Sequence, residues 1–324
     1  KVSAIWVAPD EPDLDNTLNM LSTLSMPNLG SYTTGFRAIM SLLTTTYDGT
    51  VIPLGCNNPA GALGHVSAAL ELADQIELSE ADGIDAIYVA VGSSCTISGL
   101  IVGVALSIRL GQTAFLSQRF SINGIIVHHL LAAAQRRLGL HERFPFMPLT
   151  ISHTVREACA AMHALGGPDV TDDALRILRD AVRLHTDPAV VGKYGAHSDK
   201  SRVAAKLFDT TGRVEDRMGE PSPPLWLCGH FVAKAYAVMA ADLSADSSMR
   251  AILWQTKSVT QPRGPRDEWA RLQAMDPATH KWANEGAAES TLRPGSVNVP
   301  HGCPEDYRGL MTEIKVGDGE PVEL

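Results

Sequence analysis

The run Ala86-Ile87-Tyr88-Val89-Ala90-Val91, followed without a break by Gly92-Ser93-Ser94-Cys95-Thr96-Ile97-Ser98-Gly99, sets an unbroken apolar segment against a small-residue loop. Six consecutive apolar residues without polar alternation are typical of a parallel strand covered on both faces. The apolar residues from Ser98 to Leu110 then predict a helix, so the unit is strand, loop, helix. From Ile84 to Leu110 the chain is apolar enough to suggest a membrane helix, but the residues 92–96 interrupt it, and no membrane span is expected.

Similar units lie on either side. Val2 to Ala8 predicts a buried strand ended by Pro9-Asp10-Glu11-Pro12, and Leu18, Leu21 and Leu24 predict a helix over 15–26, capped by Asp13 or Asp15. Val51 to Leu54 predicts a short strand. Residues 61–76 predict a helix burying Ala62, Val66, Ala69 and Ala73. Beyond the central unit, Ile122 to Val127 predicts another buried strand, and helices are expected over 128–138, 154–165 and 171–184. An irregular segment over 188–198 precedes a helix over 198–208. A loop over 220–224 then leads to strand 225–227, helix 231–243 and strand 251–254. The expected fold class is therefore α/β, with a mostly parallel sheet covered by helices. From Pro262 onward the pattern dissolves into Pro, Gly and charge, and this C-terminal extension is expected to pack on its own domain or on a partner.

Composition narrows the function. Of the 324 residues 45% are hydrophobic and 19% charged, which is globular, and 27 Lys+Arg against 36 Asp+Glu give a net charge of −9. With no basic cluster beyond Arg136-Arg137, nucleic acid is not an expected partner. Cys56, Cys95, Cys159, Cys228 and Cys303 form neither a CxxC pair nor a metal-ligand spacing to His, so no metal is expected and an intracellular, reducing compartment is the simpler reading. The chain opens on Lys1 with no apolar run long enough for a signal peptide. A leading segment is expected to have been removed, which is compatible with a mitochondrial matrix location.

The chemistry-bearing residues are few. Gly92, Ser93, Ser94, Cys95 and Thr96 sit where a strand gives way to a helix, a position whose backbone N–H groups and dipole suit an anion such as phosphate, and which serves close packing equally well. No Lys follows in the P-loop pattern, and GxGxxG and GxSxG are absent there, so nucleotide binding by those routes and a serine-hydrolase triad are both disfavoured. His128 and His129 diverge by about 100° on a helix and cannot share a metal from one face. Cys95 reads as a buried small hydrophobe rather than a nucleophile.

Three separated segments resemble the family of 1-aminocyclopropane-1-carboxylate deaminase and D-cysteine desulfhydrase, pyridoxal-phosphate enzymes with a tryptophan-synthase-β-like fold (fold type II). They are Ile52-Pro53-Leu54-Gly55-Cys56 with Asn57 to Gly64, the loop VAVGSSCTISGLIVG, and Lys193-Tyr194-Gly195 followed by LWLCGHFVAKAYAVM. The resemblance covers roughly residues 1–258. It implies that Gly92, Ser93, Ser94, Cys95 and Thr96 surround the cofactor phosphate, that Thr256 lies on the ring side, that Tyr194 is a substrate-side acid/base group in an active enzyme, and that Lys234 matches the lysine after the family's (T/E)G. It also implies a division into residues 1–60 as a remnant of the smaller α/β domain, 61–258 as the main cofactor-type domain and 259–324 as the extension.

The departures from the family bear on activity. Its Schiff-base lysine lies on a segment before the point matching Lys1, so the fold is expected to be N-terminally incomplete and to be completed by a further N-terminal part, a separately encoded chain or neighbours in an assembly. Phe231 and Val232 stand where the family has Tyr and then Thr or Glu, and neither can pair with a pyridine nitrogen. Lys257-Ser258 replaces a glycine pair near the ring. Relocation of the Schiff-base role to Lys193, Lys200, Lys234 or Lys257 is set against structural or solvated roles for these lysines. Two readings follow: a catalytically inactive, enzyme-derived accessory subunit of a larger intracellular assembly, or a pyridoxal-phosphate lyase or deaminase acting on D-cysteine or a similar small amino acid, its lysine supplied from elsewhere.

Overall fold

The computed structural model describes residues 3–7, 28–32, 52–79, 83–127, 147–193, 195–211, 227–229 and 231–256. Its centre is strand β3, Ala86–Val91. Strands β4 (Ser121–Ile126), β5 (Val182–His185) and β6 (Ala251–Trp254) join it in a four-stranded parallel sheet of order β5-β4-β3-β6. Strands β1 (Ser3–Val7) and β2 (Asn28–Tyr32) form a separate parallel pair, with Ser3 opposite Asn28 and Val7 opposite Tyr32.

The continuous apolar character of β3 follows from its two covered faces. Ile87, Val89 and Val91 point into a core shared with helices α1 (Pro59–Leu78), α2 (Cys95–Arg109), α3 (Met147–Ala164) and α4 (Thr171–Asp180). Ala86 and Tyr88 point the other way, into a core with Val190 of the one-turn helix α5 (Pro188–Val191) and with Ala235 and Val238 of α7 (Val232–Ala245). Alternate residues serve opposite layers, and both layers are apolar, so no polar period survives in the sequence. Helix α6 (Asp199–Thr211) packs outside α7, where Phe208 meets Tyr236 edge-on with ring centroids 5.1 Å apart.

The α1–α2 seam is held close by glycine. A Cβ on Gly99 would lie 2.4 Å from the Ala62 carbonyl and 2.5 Å from His65 Cβ, and one on Gly103 would lie 2.5 Å from Ala69 Cβ. Burial of Ala62, Val66, Ala69 and Ala73 along α1 agrees with the face expected from periodicity.

At the N-terminal end of the sheet, Asp85 is buried and accepts from Ser117 Oγ at 2.6 Å, the Arg250 backbone N–H at 3.0 Å and Arg119 Nη2 at 3.1 Å. This carboxylate ties together the entries to β3, β4 and β6, at the opposite end from the small-residue loop.

Several expectations are corrected. The strand expected over 51–54 is replaced by a 3-10 turn, Leu54–Cys56, preceded by Pro53, which has no N–H for a ladder. Gly55 and Cys56 follow with φ of 64° and 55°, which no strand accommodates. The helix expected over 171–184 stops at Asp180. Val182 and Leu184 are buried and alternate with half-buried Arg183 and His185, so pairing with β4 overrides the helical period. Helices α2 and α3 begin earlier than expected, at Cys95 and Met147, and α5 falls within the segment read as irregular. Strand β2 was not anticipated, and Leu227 is not in a strand. The helices expected over 15–26 and 128–138, the loop over 220–224 and the extension from 262 lie outside the described residues.

Candidate functional site

The loop 92–94 leaves the C-terminal end of β3, the end at which open α/β sheets receive ligands. Ser94 takes the left-handed conformation, φ 70°, and is the N-cap of α2, yet its side chain does not cap the helix; its hydroxyl donates to the Ser93 carbonyl at 2.5 Å instead. The neighbouring helix is closed by contrast: Asn58 Oδ1 accepts from the Gly61 N–H at 2.8 Å, with Pro59 at the first position of α1. No acidic residue stands in the first turn of either helix. The start of α2 therefore presents backbone donors and the positive end of its dipole with no carboxylate in its own first turn.

The side chains of the loop turn toward α1 and the 54–56 turn. Ser93 Oγ donates to the Gly55 carbonyl at 3.2 Å, Cys95 Sγ donates to the Cys56 carbonyl at 3.2 Å, and Thr96 Oγ1 lies 3.1 Å from His65 Nε2. Burial pushes the Cys95 thiol up and the His65 imidazole down, so both are neutral near pH 7. The structure thus brings Gly92, Ser93, Ser94, Cys95 and Thr96 together, with the side chains of Ser93, Cys95 and Thr96 engaged by the 54–56 turn and His65.

Two further segments border the loop. A Cβ on Gly92 would lie 3.6 Å from Phe231 Cε1, so the phenyl ring stands directly beside the start of the loop. Thr256 is exposed and follows β6 two positions after Trp254, which pairs with Val89; it stands at the same end of the sheet as Gly92. Tyr194 lies outside the described residues, as do His128, His129 and the Lys257-Ser258 pair. Among the described residues, no group of three or more His, Cys, Asp or Glu could hold a metal, and no helix is long and apolar enough to cross a membrane.

A segment of 55 residues is 47% identical to a putative 1-aminocyclopropane-1-carboxylate deaminase of Thermotoga maritima, covering 17% of each chain. A segment of 54 residues is 48% identical to D-cysteine desulfhydrase of Klebsiella pneumoniae, covering 17% of this chain and 16% of the relative. The chain resembles this family. The matched segments span about a sixth of the length of these curated relatives. A crystal structure of a 1-aminocyclopropane-1-carboxylate deaminase homologue aligns with 77% of this chain and 63% of its own, at 22% identity and a TM-score of 0.48. No protein-family profile matches the chain.

The residues present fit one end of the cofactor that the family resemblance implies. Uncapped amides, small side chains and the absence of acidic residues in the first turn suit a phosphate dianion at the start of α2. The ring end fits less well, because Val232, which matches the Thr or Glu that faces the pyridine nitrogen in the family, and Phe231 before it offer no hydrogen bond to that nitrogen. Lys234 does not serve as a covalent anchor in this conformation: it is fully buried on the first turn of α7, and its ammonium donates to the carbonyls of Val191 and Lys193.

Sequence reasoning missed His65 and the 54–56 turn as neighbours of the loop. The signal lay in Gly99 and Gly103, one helical turn apart, which announce close approach of another helix without naming it.

Proposed function

We propose that the chain is an enzyme-derived subunit that keeps a phosphate-holding loop of the pyridoxal-phosphate type but does not itself turn over an amino acid. It would act as an accessory component of a larger assembly. The observation that carries this reading is the apolar pair Phe231-Val232: the Phe231 ring stands beside Gly92, and Val232, fully buried at the start of α7, stands where the resemblance calls for the Thr or Glu that faces the cofactor ring nitrogen. The buried, fully engaged Lys234 supports it. Strand β6, Ala251 to Trp254, is half-buried and stands at the edge of the sheet among the described residues, which supports association with another chain. Cys56, Cys95, Cys159 and Cys228 are free thiols, which supports a reducing compartment, with the mitochondrial matrix as the specific proposal.

Pyridoxal phosphate, when bound, supplies an electron sink for carbanion chemistry. In this chain the backbone at the start of α2 would hold its phosphate, and Gly92 and Phe231 would flank it. The test is the visible absorption spectrum of the protein in its native assembly, before and after borohydride, with peptide mass spectrometry for pyridoxyl-lysine. The proposal expects no imine band and no adduct on this chain. An adduct on one of its lysines would overturn it.

The second reading is a lyase or deaminase acting on D-cysteine or a similar small amino acid, with Tyr194 as its acid/base group. The uncapped start of α2 favours it, since an inactive chain has no need to keep an anion site open. Tyr194→Phe leaving turnover by the native protein unchanged would remove Tyr194 from that role.

A further inference from the structure

Lys234 is among the largest fully buried side chains, 0% exposed, and its Nζ donates to the Val191 carbonyl at 2.5 Å and the Lys193 carbonyl at 2.9 Å. Val191 ends the one-turn helix α5, whose last carbonyls have no intrahelical donor. The same short segment is fixed at its start, where Asp187 accepts from the Ala189 N–H at 2.9 Å. Past Val191 the chain turns sharply at Gly192, φ 55°, where a Cβ would lie 2.9 Å from Ser198 Cβ. His197 then packs on Gly229, at 2.3 Å from the place of a Cβ there, and two residues later the chain reaches Phe231 beside Gly92. The ammonium therefore stands inside a turn that leads, by two close contacts, to the edge of the small-residue loop.

A buried ammonium is costly unless its donors are satisfied, and a methionine would fill the same volume without that cost. What the ammonium adds is one donor group shared by two carbonyls that converge from either side of Gly192. We propose that Lys234 is a positioning residue: its ammonium is the internal cation of a carbonyl cage that fixes residues 191–193, and through them His197, against Gly229. The cage accepts a small primary ammonium ion when the side chain is cut back. This inference stands whether or not the loop holds a cofactor.

The test uses the full chain and two variants, Lys234→Ala and Lys234→Met. The atoms that Ala lacks are those of propylammonium. The Ala variant is expected to melt about 6–10 °C below the wild type, the scale for removing a group from a buried polar set in a chain of this size. Propylammonium is expected to restore at least half of that loss, while tetramethylammonium at equal ionic strength restores none and the wild type responds to neither. In Lys234→Met, amide exchange over 191–193 and 195–197 is expected to rise although the volume is kept, a change that a purely space-filling lysine would not produce. Propylammonium acting no better than tetramethylammonium, or Lys234→Met matching the wild type in both melting and exchange, would overturn the proposal. Should the Ala variant not fold, reductive methylation of the native wild type decides. Exposed Lys200 and Lys206 are expected to be dimethylated and Lys234 spared, and a dimethylated Lys234 in folded protein would refute the cage. None of these readouts involves a cofactor, so failure here is distinct from failure of the proposed function.

Discussion

The hydroxyl of Ser93 donates to the carbonyl of Gly55 at 3.2 Å and ties the small-residue loop to the 54–56 turn across 38 residues of sequence. Gly55 has φ 64°, and a Cβ there would lie 2.3 Å from Ser93 Oγ and 2.5 Å from Ser93 Cβ. Gly55→Ala combines a left-handed non-glycine residue, costing about 1–2 kcal/mol, with a contact that only movement of the loop can relieve. The expected result of urea denaturation is a loss of about 2–3 kcal/mol. Part of it should return in Gly55→Ala/Ser93→Gly, where the clashing atoms are gone. Equal stability of the single and double variants would mean that the turn and loop are not coupled.

Asp85 makes the acid limb of stability specific. Its carboxyl is held below the ordinary value of 3.8 chiefly by hydrogen bonds from the Arg250 N–H and Ser117, helped by the charges of Arg119 and Arg250 and opposed by burial. A carboxyl with a depressed folded-state pKa contributes stability that is complete above its unfolded pKa and fades as pH falls through the folded one. Asp85→Asn is expected to cost about 3 kcal/mol at pH 7, because Arg119 and the buried donors lose their charged partner. The gap between wild type and variant should narrow steadily below about pH 4. Unfolding curves at pH 7 and pH 3 with the same gap would contradict this assignment.

The central unit of the fold was legible because one physical cause dominates it: residues 86–91 are apolar on both faces since both faces are covered. A single cause also makes the buried face of α1 legible, since Ala62, Val66, Ala69 and Ala73 lie against the core at helical spacing. Where two causes compete, sequence reading fails. Residues 182–185 continue an apolar pattern from α4, and only pairing with β4 reveals a strand. At the loop, the backbone position was readable from small residues after an apolar run. The direction of each side chain was not, since Ser93, Cys95 and Thr96 are oriented by Gly55, Cys56 and His65, some 30 to 40 positions away. The structural role of Lys234 was weighed from the sequence, but its carbonyl partners come from a turn 41 to 43 residues earlier.

His197 should give stability a second, milder pH dependence. Burial first, then the neighbouring charges of Arg202 and Lys234, bring its imidazole from 6.5 down to about 4, while Nδ1 stays within 3.1 Å of Ser201 Oγ. A histidine held neutral in the fold takes up a proton more readily when unfolded. Stability is therefore complete above about pH 6.5 and declines as pH falls toward 4, by at most ~3 kcal/mol. His197→Gln, which cannot titrate, should show a flatter profile over pH 4–6.5. Proton NMR of the folded wild type should find this ring still neutral at pH 5.5, and a midpoint near 6.5 would show that the site is open to water.

Thiol reactivity separates the two cysteines that flank the loop. Cys56 is exposed on the 54–56 turn, while Cys95 is buried, donates to the Cys56 carbonyl and has its pKa raised first of all by burial. Alkylation needs the thiolate and a path to it, so both factors protect Cys95. Under native conditions at pH 7.5, iodoacetamide should label exposed Cys56 first, with buried Cys95, Cys159 and Cys228 lagging by at least about tenfold because the reagent must reach them. Peptide mass spectrometry over a time course reads this directly. Carbamidomethylation of Cys56 leaves its backbone carbonyl in place, so the bond from Cys95 should persist and melting should shift by less than about 2 °C. Early labelling of Cys95 would show that the start of α2 opens to solvent far more readily than its packing against α1 allows.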